Sequence, residues 1–220
     1  ENYNGYTFLA KNNLKYNPKY LLNSIFIEPT DIYKDETREL TRKNLRRLNN
    51  FRSVDIKYEE TEDDMLNANI FLTPLKKYSI GFNTELTHSN IRQLGVSGKL
   101  SFLNRNIFRG AEILKFSVQG SFLDSKDAAD QGSLLNAWEI GSDISLELPR
   151  LLMPFNPNRI IPKSMSPSTI FTLGTSLQKN IGLDKQKFTG IIDYNWESSK
   201  TKKHSFQILN AQFIKNLNVK

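Results

Sequence analysis

The chain has 220 residues, 38% of them hydrophobic, which is enough to build the core of one or two domains. It carries a formal net charge of +7 and no cysteine, so disulfides, thiolate catalysis and cysteine metal sites are excluded. Lys and Arg number 13 against 12 Asp and Glu up to Lys77, and 17 against 11 from Tyr78 onward. Because this excess is spread over many turns and strands, it argues against a nucleic-acid partner.

The first part of the chain mixes short strand and helix patterns, and Gly5 is the only one of the eleven glycines in it. The sequence predicts a strand at 6–9, a short helix opened by Pro18, and a second helix that starts at Asp35. Leu40, Leu45 and Leu48 would form the buried stripe of that second helix. Two further strands, SVDIKYEE and ANIFLTPL, complete a predicted domain over residues 1–77 with the order strand, helix, helix, strand, strand.

From residue 78 onward the pattern predicts strands alone, because apolar and polar side chains alternate over long runs. The predicted strands lie at 78–88, 92–104, 111–123, 134–148, 168–179, 186–198 and 203–215. Strands of globular sheets average about five or six residues, whereas tilted membrane-spanning strands need about nine to eleven. The length of these strands therefore favours a membrane-spanning sheet over a soluble one.

The two faces of the predicted sheet differ in polarity. Side chains predicted to face lipid are Val96, Leu100, Phe116, Val118, Ile140 and Ile144. Those predicted to face a barrel lumen are Lys99, Ser117, Gln119, Asp143 and Glu147. Aromatic residues near strand ends, among them Tyr194 and Trp196, are predicted to form an interfacial girdle. We expect residues 78–220 to form the N-terminal part of an antiparallel transmembrane β-barrel, with a soluble antiparallel sheet as the alternative.

This organisation resembles the junction of a POTRA domain with the barrel in the outer-membrane assembly factor superfamily, the BamA and TamA type. The stretches that carry the resemblance are DIY, LRRLNNFRSVDIKYEE, LTPLKKYSIGFNTELTHS and FLNRNIFRGAEILKFSVQGSF. The segment LPRLLMPFNP is most similar to the TamL-type lipoproteins of Bacteroidetes. The resemblance implies an α+β POTRA domain at 1–77 in the periplasm, followed by about seven strands of a larger barrel in the bacterial outer membrane.

The resemblance also implies a function in outer-membrane protein assembly or translocation. Client proteins would be bound by strand addition, in which main-chain hydrogen bonds give affinity without a fixed client sequence. The implied client edge comprises Val54, Asp55, Ile56, Lys57 and Tyr58. The implied lateral seam strand includes Ile80, Gly81, Phe82, Asn83 and Leu86. The implied periplasmic turn includes Asn104, Arg105, Asn106, Arg109 and Gly110. Expected partners are unfolded client proteins, other subunits of an assembly complex and the lipid bilayer, with no nucleic acid.

The chain departs from that family in two respects. Family barrels have about sixteen strands, and a spanning sheet must leave no edge exposed to lipid, so we expect these seven strands to be part of a longer chain. Further POTRA domains and a lipidated cysteine would then precede Glu1. The family's arginine-glycine-phenylalanine loop motif belongs to a later strand pair and is not found in this sequence. Arg109 and Gly110 lie in a predicted turn and are not this motif.

Residues with catalytic chemistry are few, and the sequence predicts no enzyme, no cofactor and no metal. We expect His88 and His204 at solvated rim positions, and Asp63 and Asp64 in a solvated hairpin turn. Four cations of the second helix, Arg42, Lys43, Arg46 and Arg47, could bind phosphate, but the sequence favours a solvated face opposite the leucines. A soluble or surface-exposed all-β binding module, similar to an adhesin, is the alternative function.

Overall fold

The structure is a computed structural model that describes residues 1–62, 65–87, 92–125, 137–154, 157–179, 184–199 and 201–217. Its first part contains the hairpin β1 (Asn2–Tyr3) and β2 (Tyr6–Thr7), helix α1 (Pro18–Leu21) with a 3-10 turn at Leu22–Ser24, helix α2 (Asp35–Arg47), and strands β3 (Phe51–Glu60) and β4 (Leu66–Pro74). We call residues 1–77 the N-terminal module. The strand predicted at 6–9 is therefore shorter than expected and pairs with β1.

Local sequence explains where the two helices begin. Pro18 occupies the first turn of α1, and the side chain of Asn17 caps that helix by accepting a hydrogen bond of 3.0 Å from the Lys19 backbone N–H. Helix α2 begins with Asp35 and Glu36 and ends with Arg46 and Arg47, so both ends complement the helix dipole.

The core of the N-terminal module lies between α2 and the β3–β4 hairpin. Its buried residues are Tyr16, Leu21, Ile25, Leu45, Leu48, Phe51, Val54 and Ala111. Leu45 and Leu48 are buried as predicted, whereas Leu40 is only partly buried. Ala111 belongs to the turn between Arg105 and Ile113, so a residue from the chain after residue 77 completes this core.

Seven strands follow in one antiparallel sheet, in the order of the chain. They are β5 (Tyr78–Thr87), β6 (Arg92–Arg105), β7 (Ile113–Ser125), β8 (Ala137–Leu148), β9 (Ser168–Lys179), β10 (Lys185–Glu197) and β11 (Lys203–Asn216). All seven predicted strands are confirmed, because period-two alternation over such lengths fits no other element. Within the residues described, the sheet is open, with β5 and β11 at its edges. None of the described helices is long and apolar enough to cross a membrane.

One face of this sheet is apolar, and most of it is exposed. Residues directly opposite each other in an antiparallel pair share a face, and the register places Ile80, Phe102, Phe116 and Ile144 in one row across β5 to β8. Exposed large side chains on this face are Ile80, Phe82, Leu86, Val96, Leu100, Phe102, Phe116, Val118, Phe122, Ile140, Ile144, Leu173, Leu177, Phe188, Leu209 and Phe213. No described element covers them, so a second packed sheet is absent from the described part of the chain.

The apolar face is covered in one place, by the connection 149–167 between β8 and β9. Tyr194 is buried there with Leu151 and Ile161, and its hydroxyl donates to the Leu152 carbonyl. Thr169, also buried, donates to the Arg150 carbonyl and accepts from the Leu152 N–H. The prediction that Tyr194 belongs to an exposed aromatic girdle is therefore wrong, because this connection packs over it.

Candidate functional site

The seam strand predicted from the sequence is the edge strand β5. It pairs with β6 over its whole length without a shift in register, from Tyr78 opposite Asn104 to Thr87 opposite Gly95. Its other edge has no strand partner among the described residues. The side chains of Ile80, Phe82 and Leu86 are 76%, 70% and 75% exposed. An unpaired main-chain edge beside an exposed apolar face is what strand addition requires.

Gly81 has no side chain that could pack against β6 at this edge. A Cβ atom at this position would approach the Ser101 hydroxyl oxygen to 3.1 Å, and that hydroxyl lies 3.4 Å from the Gly81 carbonyl as a weak donor. Asn83 lies two residues further on, opposite Lys99. Neither residue packs a large side chain against β6, so at these two positions the pairing depends mainly on main-chain hydrogen bonds.

The client edge predicted at Val54 to Tyr58 lies in β3. This strand pairs with β4, and within the described residues its other edge has no strand partner. Val54 and Ile56 point into the core, whereas Asp55 and Lys57 point outward and are exposed. Tyr58 packs edge-on against Tyr33 with ring centroids 4.8 Å apart. The structure places the client edge and the seam strand in two separate sheets, joined by the short connection 75–77.

The turn between β6 and β7 holds these parts together. Arg105 donates through Nε to the Asn49 carbonyl at 3.0 Å, and through Nη1 to the Lys76 carbonyl at 3.1 Å and the Ser79 hydroxyl at 2.8 Å. It thereby joins the end of α2, the connection to the sheet and the start of β5. Asn104 lies one residue earlier, opposite Tyr78. The first residues of the seam strand are thus fixed by the predicted periplasmic turn.

The same turn contacts the segment before α1. Asn106 donates to the Lys15 carbonyl at 2.8 Å, and Arg109 donates to the Leu14 carbonyl at 2.7 Å. The Arg109 carbonyl accepts from the Asn17 N–H at 2.7 Å. Asn106 and Arg109 have φ values of +57° and +67°, so the turn depends on backbone conformations that few residues adopt. These bonds connect two parts of the chain more than 85 residues apart.

A buried ion pair that the sequence interpretation missed lies beneath this turn. The Glu112 carboxylate is 1% exposed and pairs with Arg150 at 3.2 Å. It also accepts from the backbone N–H groups of Gly110 at 2.8 Å and Phe108 at 3.3 Å. The Arg150 guanidinium lies 4.3 Å over the Tyr20 ring. The only sequence signal was an acidic residue at the start of an apolar strand, which does not identify a partner 38 residues away.

Gly110 is needed where this turn approaches the ion pair. A Cβ atom at Gly110 would lie 2.2 Å from Glu112 Oε1 and 2.9 Å from the Tyr20 ring. The Asn50 side chain of the N-terminal module donates to the Ala111 carbonyl at 2.8 Å, and this bond connects the module to the turn. The predicted periplasmic turn therefore forms a packed joint between the module and the sheet.

Of the four cations of α2, Lys43 and Arg46 are exposed, as the sequence favoured, whereas Arg42 and Arg47 are partly buried. Arg47 forms an ion pair with Glu197 at the end of β10, and Lys43 lies 3.8 Å from the same carboxylate. All four cations line a cleft between α2 and the sheet. The sequence did not predict the pair with Glu197, because the helical period separates the cations from Leu45 but carries no information about the element that faces them.

The remaining candidates carry no catalytic arrangement in the described residues. His204 stacks on Trp196 with ring centroids 5.3 Å apart and lies 2.8 Å from the Ser198 hydroxyl. His88, Asp63 and Asp64 lie outside the described residues. Where side chains are described, no group of three or more His, Asp or Glu could hold a metal ion.

Comparisons with protein-family models and with curated proteins identify no relative of this chain. No protein-family model matches the chain, and no curated protein matches its sequence.

Proposed function

We propose that the protein is an outer-membrane assembly or translocation factor that inserts or exports client proteins. In this proposal β5 to β11 are strands of a transmembrane β-barrel, and the N-terminal module is a POTRA-like domain in the periplasm. Clients add a strand at the free edge of β3 and enter the membrane at a lateral seam formed by β5. Other subunits of an assembly complex and the lipid bilayer are the remaining partners.

The exposed apolar face of the seven-stranded sheet is the observation that carries this proposal. Soluble monomers rarely expose contiguous apolar patches larger than a few hundred Å². Here large apolar side chains are exposed in every strand from β5 to β10, and the strands are long enough to cross a bilayer at a tilt. Contact of this apolar face with lipid acyl chains is favourable, whereas its contact with water is unfavourable.

The polar face supports the same proposal. Ser117 donates to Asp143 at 2.6 Å, and Lys99 lies 3.9 Å from the same carboxylate, so charged and hydroxyl side chains form a network across β6, β7 and β8. A small soluble sheet packs apolar side chains on at least one covered face, whereas the interior of a membrane barrel is polar. A soluble binding module is the competing function, and it needs a covering partner for the apolar face.

Site-specific photo-crosslinking tests the function. A photoreactive phenylalanine analogue replaces Phe82 in the edge strand β5 and, as the matched control, Phe116 in the interior strand β7. We expect crosslinks to newly made outer-membrane proteins at position 82 and few at position 116, because β5 lies at an edge of the described sheet and β7 lies in its interior. Equal crosslinking at both positions, or none at 82, would contradict the seam.

A further inference from the structure

A cleft of about 960 Å³ lies between α2, the connection 149–167 and the adjoining ends of β10 and β11. The residues of β10 that line it are Asn195, Trp196 and Glu197, so it lies against the end of that strand. Its volume is at the upper end of the range of about 300–1,000 Å³ that is typical of sites for drug-sized ligands. It is therefore large enough for several residues of a peptide.

The lining of the cleft is strongly basic. Seven Lys and Arg residues face three carboxylates among the residues that line it. Two of the seven, Arg150 and Lys163, also pair with carboxylates outside the lining, Glu112 and Glu28. Cations still outnumber carboxylates after these pairs are included, so the cleft favours an anionic ligand.

One carboxylate at the centre of this lining is shared among several cations. Glu197 is 11% exposed, lies 3.4 Å from Lys203 and 3.8 Å from Lys43, and pairs with Arg47. The Arg47 Nη1 atom is buried and makes no hydrogen bond within the described residues. Burial also lowers the pKa of Arg47, because desolvation disfavours its charged form. Arg47 therefore keeps a donor that its pair with Glu197 does not use.

We propose that this cleft binds an acidic segment of a client polypeptide in an extended conformation, an inference that rests on the proposed client-handling function. The carboxylates of the segment pair with Arg46, Arg47 and Lys203, while neutral donors such as Asn195 and Ser205 contact its main chain. The segment is held between the N-terminal module and the adjoining ends of β10 and β11.

Peptide binding to the purified protein in detergent micelles tests this inference. The probe is a fluorescent ten-residue peptide of alternating Glu and Ser, compared with the same peptide carrying Gln at each Glu, and anisotropy is the readout. We expect the acidic peptide to bind at least tenfold more tightly than the Gln peptide at 50 mM salt, and this preference to shrink at 500 mM salt.

Substitutions locate the binding in the cleft. The double variant Arg46→Gln with Lys203→Gln removes two exposed cations and keeps the Arg47 to Glu197 pair, so folding should be unaffected. It should weaken binding of the acidic peptide at least tenfold. The matched control Arg38→Gln removes a cation of the same helix outside the cleft and should change binding less than twofold.

Three results would overturn the inference: no preference for the acidic peptide, equal effects of the double variant and the control, or displacement of the peptide by inorganic phosphate at equal charge concentration, which would identify a small-anion site. Crosslinking at position 82 distinguishes the two proposals. If it persists while acidic peptides fail to bind, the cleft inference alone fails. If it too is absent, the proposed function fails.

Discussion

Replacing Arg150 by alanine should lower the free energy of unfolding by about 3 kcal/mol. The substitution leaves the Glu112 carboxylate buried without its cation, and breaking a buried ion pair costs about 3–5 kcal/mol. Arg150 itself is one-quarter exposed, so we expect the lower end of that range. Loss of the guanidinium from the Tyr20 ring adds to the effect. Urea unfolding in detergent micelles measures the change.

Two further variants test whether the loss of stability arises from the burial of the Glu112 carboxylate. Arg42→Ala breaks the more exposed pair with Glu39 on α2, and it should cost no more than about 0.5 kcal/mol. Combining Arg150→Ala with Glu112→Gln should recover part of the loss, since the buried charge is then removed while two backbone donors keep an acceptor. If Arg150→Ala and Arg42→Ala have equal effects, the packed joint does not depend on the ion pair.

The second large effect is expected from a charge placed on the apolar face. Ile144 lies near the middle of β8, between Phe116 of β7 and Leu173 of β9. Ile144→Arg should destabilise the protein folded in a phospholipid bilayer by about 2–4 kcal/mol, the cost of arginine near the bilayer midplane of a β-barrel. Reversible urea unfolding from vesicles is the measurement.

A large effect of Ile144→Arg is not expected from the matched control substitution, nor from Ile144→Arg itself if the protein is a soluble module. Gln119→Arg places the same charge on the polar face and should change stability by less than about 1 kcal/mol. The Ile144 side chain is already 42% exposed, so in a soluble module whose face meets water an arginine there should cost no more than about 0.5 kcal/mol. A negligible effect of Ile144→Arg in vesicles would therefore favour the soluble alternative.

The strands could be predicted from the sequence because alternation is a local property. Rows such as Leu100 and Phe102 against Lys99 and Ser101 fix both the element and the face of each residue, and the exposed apolar face agrees with that assignment. The caps of α1 and α2 are local as well. Proline, asparagine and acidic residues act within one turn of where they occur.

The features that the sequence did not predict all depend on contacts across the fold. The connection 149–167 has no periodic pattern, so nothing in it indicated that Leu151 and Ile161 would cover Tyr194. Glu112 and Arg150 are 38 residues apart in the sequence and form an ion pair only in the folded chain. The role of the α2 cations likewise depends on where Glu197 lies, a position set by the register of β10 and not by the helix.

The most direct test of the membrane-spanning sheet uses two neighbouring residues of β7. The chain contains no cysteine, so Val118→Cys and Gln119→Cys each give one site for a nitroxide spin label, on the apolar and the polar face respectively. In vesicles, collision rates with oxygen report lipid and collision rates with a water-soluble nickel chelate report water. The proposal predicts that the label at 118 is more accessible to oxygen and the label at 119 to the chelate. High chelate accessibility at both positions would contradict it.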